Sequence, residues 1–483
     1  MASTVAGRLH AELEQVEVGS IPFERFRSVL GDGQYDEFVA RSETGRALLD
    51  GRVLWNVNST SKGGGVAEML TSLIRYARGA GVDARWLVIA GDDDFFEVTK
   101  RIHNRLHGSR GDDGPLDDAE RRCYEAVLEE NAAGLLRQVG ERDVVILHDP
   151  QTVGLAGALR DAGATVVWRC HVGIDEPDDL ARSAWDFLRP YVDRATACVF
   201  SRREHVWAGI DDDRVAVIPP SIDAFSPKNQ DLDGRTAAAI LAAAGVRGEP
   251  GESGAEPAFV RGDGSEAAVT SRAEMIEDEA LPIDASAVTQ VSRWDRLKDP
   301  VGVLRGFAEH VTDAGAHLVL AGPEASSIAD DPEGTEALRE VQEARSALPG
   351  DVRGRVHLAC LPAADTEENA AIVNALQRLS SIVVQKSLAE GFGLTVAEAM
   401  WKARPMVASR VGGIQDQIEH ERDGLLVDDP ADLESFGRAI SSLLRDPDSA
   451  KEMGRRARER VREEFLAPRH LMQYVDLLER EIG

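Results

Sequence analysis

Twelve short apolar runs, most of them followed by an amphipathic stretch of helical length, set the strongest limit on how this chain can fold. Such runs are typical of parallel strands in a sheet that is covered by helices on both faces. The first six runs are RVLWNVN, ARWLVIA, DVVILHD, TVVWRCH, ACVFS and VAVIPP, and the second six are AVTQVSR, HLVLAGP, RVHLACL, SIVVQKS, PMVASRV and GLLVDD. Twelve strands exceed one eight-stranded barrel, so the pattern predicts an α/β protein with two doubly wound, Rossmann-like domains.

The stretch between the two groups of strands differs in composition from the rest of the chain. It covers 229–286, and much of it reads GVRGEPGESGAEPAFVRGDGSEAAVTSRAE, which is rich in Gly, Ala and acidic residues. Because this composition offers little apolar surface to bury, we expect a loosely packed insertion and linker. The other expected divisions are a helical extension packed on the first domain over 1–50, the first domain over 51–228, the second domain over 287–465 and a closing helix over 466–483.

The charge and the cysteines exclude several classes of function. The 483-residue chain has 84 acidic and 55 basic residues, and its net charge of −29 would repel nucleic acids and anionic lipids over most of the surface. Its four cysteines lie far apart and form no C-x-x-C pair, which argues against a zinc site or a disulfide framework. No apolar run reaches membrane-spanning length, and the amino terminus lacks the pattern of a signal peptide. We therefore expect a soluble cytoplasmic protein without nucleic-acid or membrane partners, and a homodimer is left open.

The stretch EGFGLTVAE, from Glu390 to Glu398, carries the clearest ligand-binding signal. Gly391 and Gly393 let the backbone approach a ligand closely, and the helix that follows offers unpaired N–H groups with a partial positive charge, which suit a phosphate. Glu390 would then lie beside a sugar, and Glu398 could accept hydrogen bonds from ribose hydroxyls. The alternative without a ligand is a capping box between Thr395 and Glu398.

Polar residues also follow strands of the first group, at the edge where ligands bind to open α/β sheets. Gly63, Gly64 and Gly65 follow the first strand; they do not form the G-x-G-x-x-G fingerprint, and a tight turn without a ligand is the alternative. His148 and His171 close two strands and should face the same crevice, although a single histidine at a strand end is often structural.

Two cations follow the first strand of the second group. Arg293 comes at the strand end, and Lys298 stands directly before Asp299 and Pro300. Asp as N-cap and Pro as the first helical residue predict a helix start at this point. Two cations beside a helix amino terminus suit a diphosphate, whereas either one alone would be interpreted as a solvated surface charge.

Two runs of three aspartates, at 92–94 and 211–213, are candidates for a D-x-D metal motif. Aspartates next to helices in a chain this acidic are usually caps, and the single-sheet context of that motif is missing. We therefore predict no metal site.

Together these segments resemble the retaining GT-B glycosyltransferases of family 4. The matching motifs are the Glu-x7-Glu pair of Glu390 and Glu398 and the cations Arg293 and Lys298, and the resemblance covers nearly the whole chain from about Gly51. Within the family, VNSTSKGGGVAEML, HDPQ, WRCH, SIDAFSPKN and VSRWDRLKDP are most similar to trehalose synthases and to retaining trehalose phosphorylases. The resemblance implies two Rossmann-like domains that face each other across a cleft, with the last helix crossing back to the first domain. The acidic insertion departs from the archaeal pattern.

The resemblance also implies roles for individual residues on the donor side. The donor would be ADP-, UDP- or GDP-glucose, and Arg293 and Lys298 would neutralise its departing diphosphate. Glu390 would hold the glucose hydroxyls, and His171 would approach the 6-hydroxyl. The implied donor-binding residues are Gly63, Gly64, Gly65, Gly391, Phe392, Gly393, Leu394 and Glu398, the last of them for the ribose.

On the acceptor side the resemblance implies glucose, held by Glu68, Lys100, Asp149 and Gln151. The product would be α,α-trehalose, formed reversibly by a front-face reaction in which the leaving phosphate takes the acceptor's proton and no protein carboxylate forms a covalent adduct. No cofactor is implied, with Mg²⁺ at most a stimulating ion. Two alternatives remain open: a trehalose phosphorylase, in which phosphate takes the place of the nucleoside diphosphate, and a catalytically silent sugar-nucleotide sensor.

Overall fold

The structure, a computed structural model, describes residues 13–61, 64–324 and 332–483. These residues form two compact units. The first unit extends to Pro220 and also includes Ala467–Gly483, and the second unit comprises Ser221–Leu466. Each unit is built around a seven-stranded sheet.

The first sheet is parallel apart from one edge strand. Its strands are β1 (Glu14–Val16), β2 (Leu54–Asn58), β3 (Ala84–Val88), β4 (Val144–His148), β5 (Thr165–Cys170), β6 (Ala197–Phe200) and β7 (Val215–Val217). They lie in the order β1-β3-β2-β4-β5-β6-β7, and β1 pairs antiparallel with β3. From β3 to β6 this is the flavodoxin-like doubly wound order, extended at one edge by β7, and its order reverses between β2 and β4.

Helices cover both faces of the first sheet. They are α1 (Asp32–Leu48), α2 (Gly64–Gly79), α3 (Asp93–Leu106), α4 (Asp118–Leu135), α5 (Asp149–Thr152), α6 (Ala156–Asp161) and α7 (Asp179–Val192), with 3-10 helices at Phe23–Ser28, Val153–Leu155, Arg203–His205 and Asp212–Arg214. Successive strand residues face opposite sides of a sheet. Accordingly, Trp55 and Leu87 pack with α3, α4 and α7 on one face, and Ala84 and Trp86 pack with α2 on the other.

The second unit begins with helix α8 (Gly234–Ala243) and a hairpin of β8 (Ala258–Val260) and β9 (Glu266–Ala268). The strands of its main sheet are β10 (Glu274–Ile276), β11 (Ser286–Val291), β12 (Ala316–Pro323), β13 (Val356–Leu361), β14 (Ile382–Gln385), β15 (Met406–Ser409) and β16 (Leu425–Val427). They lie in the order β10-β13-β12-β11-β14-β15-β16, with β10 antiparallel to β13. Apart from β10, this is the Rossmann order, and it reverses between β11 and β14.

The helices of the second unit alternate with these strands. They are α9 (Pro300–His310), α10 (Pro332–Ser346), α11 (Gly350–Arg353), α12 (Thr366–Leu379), α13 (Leu394–Trp401), α14 (Ile414–Gln417), α15 (Leu433–Arg445) and α16 (Pro447–Glu464), with a 3-10 helix at Arg296–Lys298. Throughout the described ranges, no helix combines the length and the apolarity needed to cross a membrane.

The twelve strands predicted from the sequence are all present, and the prediction of an α/β protein with two Rossmann-like units is confirmed. The strands β1, β8, β9 and β10 were not predicted. Each has three residues, which is too short for an alternating or apolar pattern to stand out from a loop.

The expectation that 229–286 buries little and packs loosely is wrong. Helix α8 packs against α12, and β10 extends the main sheet by pairing with β13. Phe259 and Val269 are each only 2% exposed, in a core shared with α8 and α12. A few well-placed apolar residues suffice, because a single buried aromatic ring removes a large area from water whatever the composition around it.

The last helix, α17 (Ala467–Ile482), belongs to the first unit. Its Leu477 is buried with Ile146 and Val167 of the first sheet, and its Leu478 is buried against Val144. The face of that sheet opposite α3, α4 and α7 is therefore completed by the carboxyl-terminal part of the chain.

Candidate active site

Each sheet has a point at which its strand order reverses, and ligands of open α/β proteins bind beyond the carboxyl ends of the strands at such a point. In the second sheet this point lies between β11 and β14, where Val288 pairs with Ile382. The segments that leave these two strands carry Lys298 and Glu390. In the first sheet the point lies between β2 and β4, and the chain leaves β4 at His148.

The Lys298 ammonium forms an ion pair with Glu390 beyond the carboxyl ends of β11 and β14. Lys298 ends the 3-10 turn after β11, and the predicted helix start is confirmed, with Asp299 as N-cap and Pro300 as the first residue of α9. The Ser387 hydroxyl donates a further hydrogen bond to Glu390, with 3.3 Å between Oγ and Oε2. The side chains of Lys298 and Glu390 are 17% and 12% exposed, so a small ligand can reach a pair that is largely shielded from water.

Arg293 lies on the exposed side of the segment that leaves β11. Its side chain is 76% exposed, and its guanidinium pairs with Asp295 at 3.3 Å. An exposed pair of this kind contributes little to stability, so the guanidinium is available to an anionic ligand at small cost. The diphosphate role of Arg293 stays a prediction.

The glycines after Glu390 adopt a conformation that brings the backbone to the site. Gly393 is the N-cap of α13 with a φ of 82°, in the left-handed region that favours glycine. The Gly413 amide donates to the Gly391 carbonyl at 2.9 Å, and the Phe392 ring is buried against Phe465. The loop is therefore anchored on one side. At the start of α13 the Val396 amide donates to the Gly393 carbonyl at 2.9 Å, and the Leu394 and Thr395 amides precede it in the first turn.

The capping-box alternative for this helix does not hold. Helix α13 begins at Leu394, so Thr395 lies inside the helix and is not its N-cap. The Thr395 hydroxyl donates instead to Gln385 at 3.1 Å. Glu398 is accordingly not the N3 partner of a capping box.

Glu398 is buried at 4% exposure and lies among cations. Lys228 approaches its Oε1 at 3.7 Å, and within the part of the chain that the structure describes its buried Oε2 has no hydrogen-bond partner. The ammonium of Lys402 donates to the Glu398 carbonyl and to the Asn229 side chain, each at 3.0 Å. Burial lowers the pKa of Lys402 to about 7, although Glu398 acts to raise it. The site thus holds a carboxylate oxygen that is free to accept a hydrogen bond from a ligand.

In the first unit, Asp149 and His171 form a second polar centre. Asp149 has a φ of 63°, and its Oδ1 accepts a hydrogen bond from the His171 amide at 2.8 Å. Its Oδ2 lies 3.1 Å from Nδ1 of the His171 ring. Burial alone would raise the pKa of Asp149, but the interactions with His171 hold it below its ordinary value. Both oxygens of this carboxylate thus fix His171, which the sequence did not indicate.

The His171 imidazole is oriented to accept a hydrogen bond. Burial lowers its pKa despite the opposing effect of Asp149, so the ring is neutral at pH 7. Because Nδ1 faces a carboxylate, Nδ1 carries the proton and Nε2 is the acceptor. This Nε2 is buried and, among the described residues, has no hydrogen-bond partner. His148 stacks on the ring at 5.5 Å between centroids and bonds to Asn56 at 3.1 Å.

The remaining predicted residues lie where the chain leaves β2, β3 and β4. Gly63 lies outside the described residues, Gly64 begins α2 at a φ of 76°, and Gly65 follows it in the first turn. Glu68 is exposed on α2, Lys100 is exposed on α3, and Gln151 is half-buried on α5. Their binding roles stay predictions.

One of the two acidic runs caps a helix, whereas Asp211, before the 3-10 helix Asp212–Arg214, makes no side-chain capping hydrogen bond among the described residues. Asp92 is the N-cap of α3 and accepts a hydrogen bond from the Phe95 amide at 2.9 Å, as predicted for a cap. Over the described ranges, no three metal-ligating side chains converge. The absence of a required cofactor stays a prediction.

Comparison with known proteins identifies the family. The family model described as "Trehalose synthase, N-terminal domain" matches residues 56–207, and "Glycosyl transferases group 1" matches residues 271–460. The trehalose synthase of Rubrobacter xylanophilus is 35% identical over 98% of this chain and 100% of its own length. The chain belongs to the trehalose synthase family.

Members of this family are glycosyltransferases, and the trehalose phosphorylase of Pleurotus pulmonarius is a more distant relative. It is 25% identical over 91% of this chain, which spans 58% of the phosphorylase. The α,α-trehalose-phosphate synthase (UDP-forming) of Burkholderia vietnamiensis superposes with a TM-score of 0.64 at 15% identity, over 89% of this chain and 98% of that one. This likeness confirms the GT-B class of the fold.

Sequence reasoning missed three lysines that lie around the candidate site of this member of the trehalose synthase family. Lys228 and Lys402 surround Glu398, and Lys386 is fully buried beside Asp299. Lys386 offered a signal, because a lysine directly after an apolar parallel strand is unusual unless it is paired. The partners of these lysines could not be predicted. Asp299 lies far from Lys386 in sequence, and Glu398 belongs to a motif that was assigned to ligand binding.

Proposed function

We propose that this chain transfers glucose, with retention, from ADP-, UDP- or GDP-glucose to glucose and forms α,α-trehalose in a reversible reaction. The observation that carries the proposal is the Lys298–Glu390 pair beyond the carboxyl ends of β11 and β14. A cation and a carboxylate at one point suit a ligand that joins a phosphate to a sugar, because the ammonium binds the phosphate and the carboxylate binds hydroxyls.

The donor is held by cationic side chains and by carboxylates. Lys298 and Arg293 neutralise the diphosphate, and the N–H groups at the start of α13, from Gly393 onward, add a partial positive charge. Glu390 accepts hydrogen bonds from the glucose hydroxyls. Glu398 binds the ribose through Oε2, the buried oxygen that lacks a partner among the described residues.

The reaction proceeds on one face of the donor sugar. The bond between the anomeric carbon and the diphosphate oxygen breaks, and the bond to the acceptor's anomeric oxygen forms on the same side. The proton of the acceptor hydroxyl passes to the leaving diphosphate oxygen. Glu390 is a holding residue and not a nucleophile, because a reaction on one face forms no covalent adduct with a protein carboxylate; its Oε2 pairs with Lys298 and accepts a hydrogen bond from Ser387.

His171 and the proposed acceptor residues belong to the first unit. His171 accepts a hydrogen bond from the donor's 6-hydroxyl at Nε2, and Asp149 holds the ring for this task. The acceptor glucose is bound by Glu68, Lys100, Asp149 and Gln151. The reaction needs no cofactor.

A donor panel tests the proposal. ADP-, UDP- and GDP-glucose are each incubated with glucose and with several other acceptor sugars, and the product linkage is read by NMR. We expect an α,α-1,1-linked disaccharide from at least one donor, and a Glu390→Gln variant should lose most of this activity. A β-linked product would refute the retaining mechanism, and a 1,4-linked product would refute the assignment to trehalose.

The reverse reaction separates the rival functions. Trehalose is mixed with a nucleoside diphosphate or with inorganic phosphate, and the glucose product is identified. A nucleoside diphosphate glucose as product supports the synthase, whereas glucose 1-phosphate identifies a phosphorylase. The phosphorylase is tested because a trehalose phosphorylase is among the distant relatives. Binding of the sugar nucleotide without turnover in either direction identifies a sensor.

A further inference from the structure

Lys386 follows β14 directly, and its side chain is fully buried although it ends in an ammonium group. A buried ammonium is unfavourable unless it is paired and hydrogen-bonded. Here it pairs with Oδ2 of Asp299. A buried ion pair is weak evidence for stability, because apolar side chains of similar volume often stabilise a fold as well. Its place beside the candidate site therefore calls for another reason.

Asp299 links this ammonium to the turn that carries Lys298. Its backbone has a φ of 47°, in the left-handed region that non-glycine residues rarely adopt. Its Oδ1 accepts the hydrogen bond of the Gly302 amide at 3.0 Å, as the N-cap of α9, while its Oδ2 pairs with Lys386. The carboxylate is held at both oxygens, so the conformation of the residue next to Lys298 is fixed from two sides.

A second connection runs through the backbone. The Lys386 amide donates to Oε1 of Gln290 at 3.3 Å, and the Gln290 Nε2 donates to the Lys298 carbonyl at 3.0 Å. Gln290 is only 1% exposed, so water does not compete for these hydrogen bonds. Lys386 thus reaches the Lys298 turn by its side chain and by its main chain.

The two ion pairs connect the same two segments in a crossed arrangement. Lys298 pairs with Glu390, and the next residue, Asp299, pairs with Lys386, four residues before Glu390. The Lys298–Glu390 pair is partly exposed, whereas Lys386 is not. A ligand can therefore contact the Lys298–Glu390 pair, and the buried Lys386–Asp299 pair fixes the position of Lys298.

We propose that Lys386 is a positioning residue for Lys298, acting through Asp299 during glycosyl transfer. This inference rests on the proposed function, because the placement of Lys298 affects the rate only if Lys298 stabilises the leaving diphosphate. The rate is sensitive to such placement, since a displacement of about 1 Å can cost about 100-fold. Lys386 itself does not touch the substrate.

The test uses Lys386→Met, which keeps the length of the side chain and removes its charge, and Asp299→Asn, which keeps a capping oxygen and tolerates the left-handed backbone. Lys451→Met, on the exposed surface of α16, is the matched control. For each folded variant, kcat and the donor KM are measured with the NDP-glucose that the wild-type chain accepts. We expect kcat to fall on the order of 10-fold or more in the first two variants, with the donor KM changing less than about threefold, the pattern of a contact that matters in the transition state.

The double variant Lys386→Met/Asp299→Asn gives a readout that a purely structural role would not move. Because both changes remove one contact, the loss of kcat in the double variant should not exceed the larger single loss. Losses that multiply, or a Lys386→Met enzyme as fast as Lys451→Met, would overturn the inference. If Lys386→Met does not fold, Asp299→Asn alone decides by the same kcat criterion. Turnover by the wild-type chain tests the proposed function separately, and its absence would overturn both.

Discussion

Replacing Phe259 by Ala should destabilise the second unit by about 3–5 kcal/mol, the usual cost of removing a buried phenyl ring. The ring is 2% exposed and lies in the core shared by α8 and α12. A buried aromatic side chain removes roughly 150–250 Å² from water, which at about 25 cal/mol per Å² gives an effect of this size. The Arg261 guanidinium also lies 5.4 Å from the ring centroid, so a cation–π contact is lost as well.

The measurement is urea unfolding followed by circular dichroism, with hydrogen exchange used to assign the transition of the second unit. Val260→Ala is the control, because Val260 is the next residue of the same hairpin but is 42% exposed. We expect the control to change the free energy of unfolding by about 0.5 kcal/mol or less. A Phe259→Ala effect below about 1 kcal/mol would refute the packing of this hairpin and would support the loosely packed segment that the composition suggests.

Four further predictions concern residues in or beside the candidate site. Lys298→Ala should lower kcat by about 100-fold or more with a smaller change in the donor KM, because the charge that Lys298 neutralises grows in the transition state. Glu398→Gln should mainly raise the donor KM, because the ribose is bound equally in the ground state and the transition state. Asp149→Asn should lower kcat by about 10- to 100-fold, measured at constant pH. The Asn side chain has one accepting oxygen, so it cannot accept hydrogen bonds from both the backbone amide and the protonated Nδ1 of His171. The free energy of unfolding should rise between about pH 7 and pH 10, by up to about 1.4 kcal/mol per unit. The reason is that burial lowers the pKa of Lys402 to about 7 in the folded chain, so the unfolded chain binds more protons in this range.

Each of these predictions has a result that contradicts it. Similar changes of kcat and KM in the Lys298 and Glu398 variants would show that the two residues do not divide the work in this way. Full activity of Asp149→Asn would show that the carboxylate is not needed to orient the ring. For Lys402, denaturation at several pH values is compared with Lys402→Met, and an identical slope in both proteins would assign the pH dependence to other groups.

Sequence reasoning succeeded where one local pattern carries the information. Strands buried on both faces appear as continuous apolar runs. The residues that follow them, such as His171 and Arg293, lie at the carboxyl edge of a sheet, as expected, and their binding roles stay predictions. Asp299 and Pro300 announce the start of α9 because cap and first-turn preferences act over neighbouring residues.

It failed where a residue finds its partner far away along the chain. Lys386 and Asp299 are 87 residues apart, and nothing in either local sequence marks the pair. The same holds for Asp149, whose carboxylate accepts a hydrogen bond from the amide of His171, at the end of the next strand. Phe259 was missed for a different reason: average composition describes a segment, whereas burial depends on individual side chains and on the surface that receives them.

The return of α17 to the first unit has a consequence for synthesis on the ribosome. The residues that cover Ile146 and Val144 are not made until the whole second unit, Ser221–Leu466, has been translated. At roughly 5–20 residues per second, that interval is on the order of 10 to 50 s. During this time the nascent first unit holds an uncovered apolar face, a place where a chaperone can bind and where two incomplete chains can stick together.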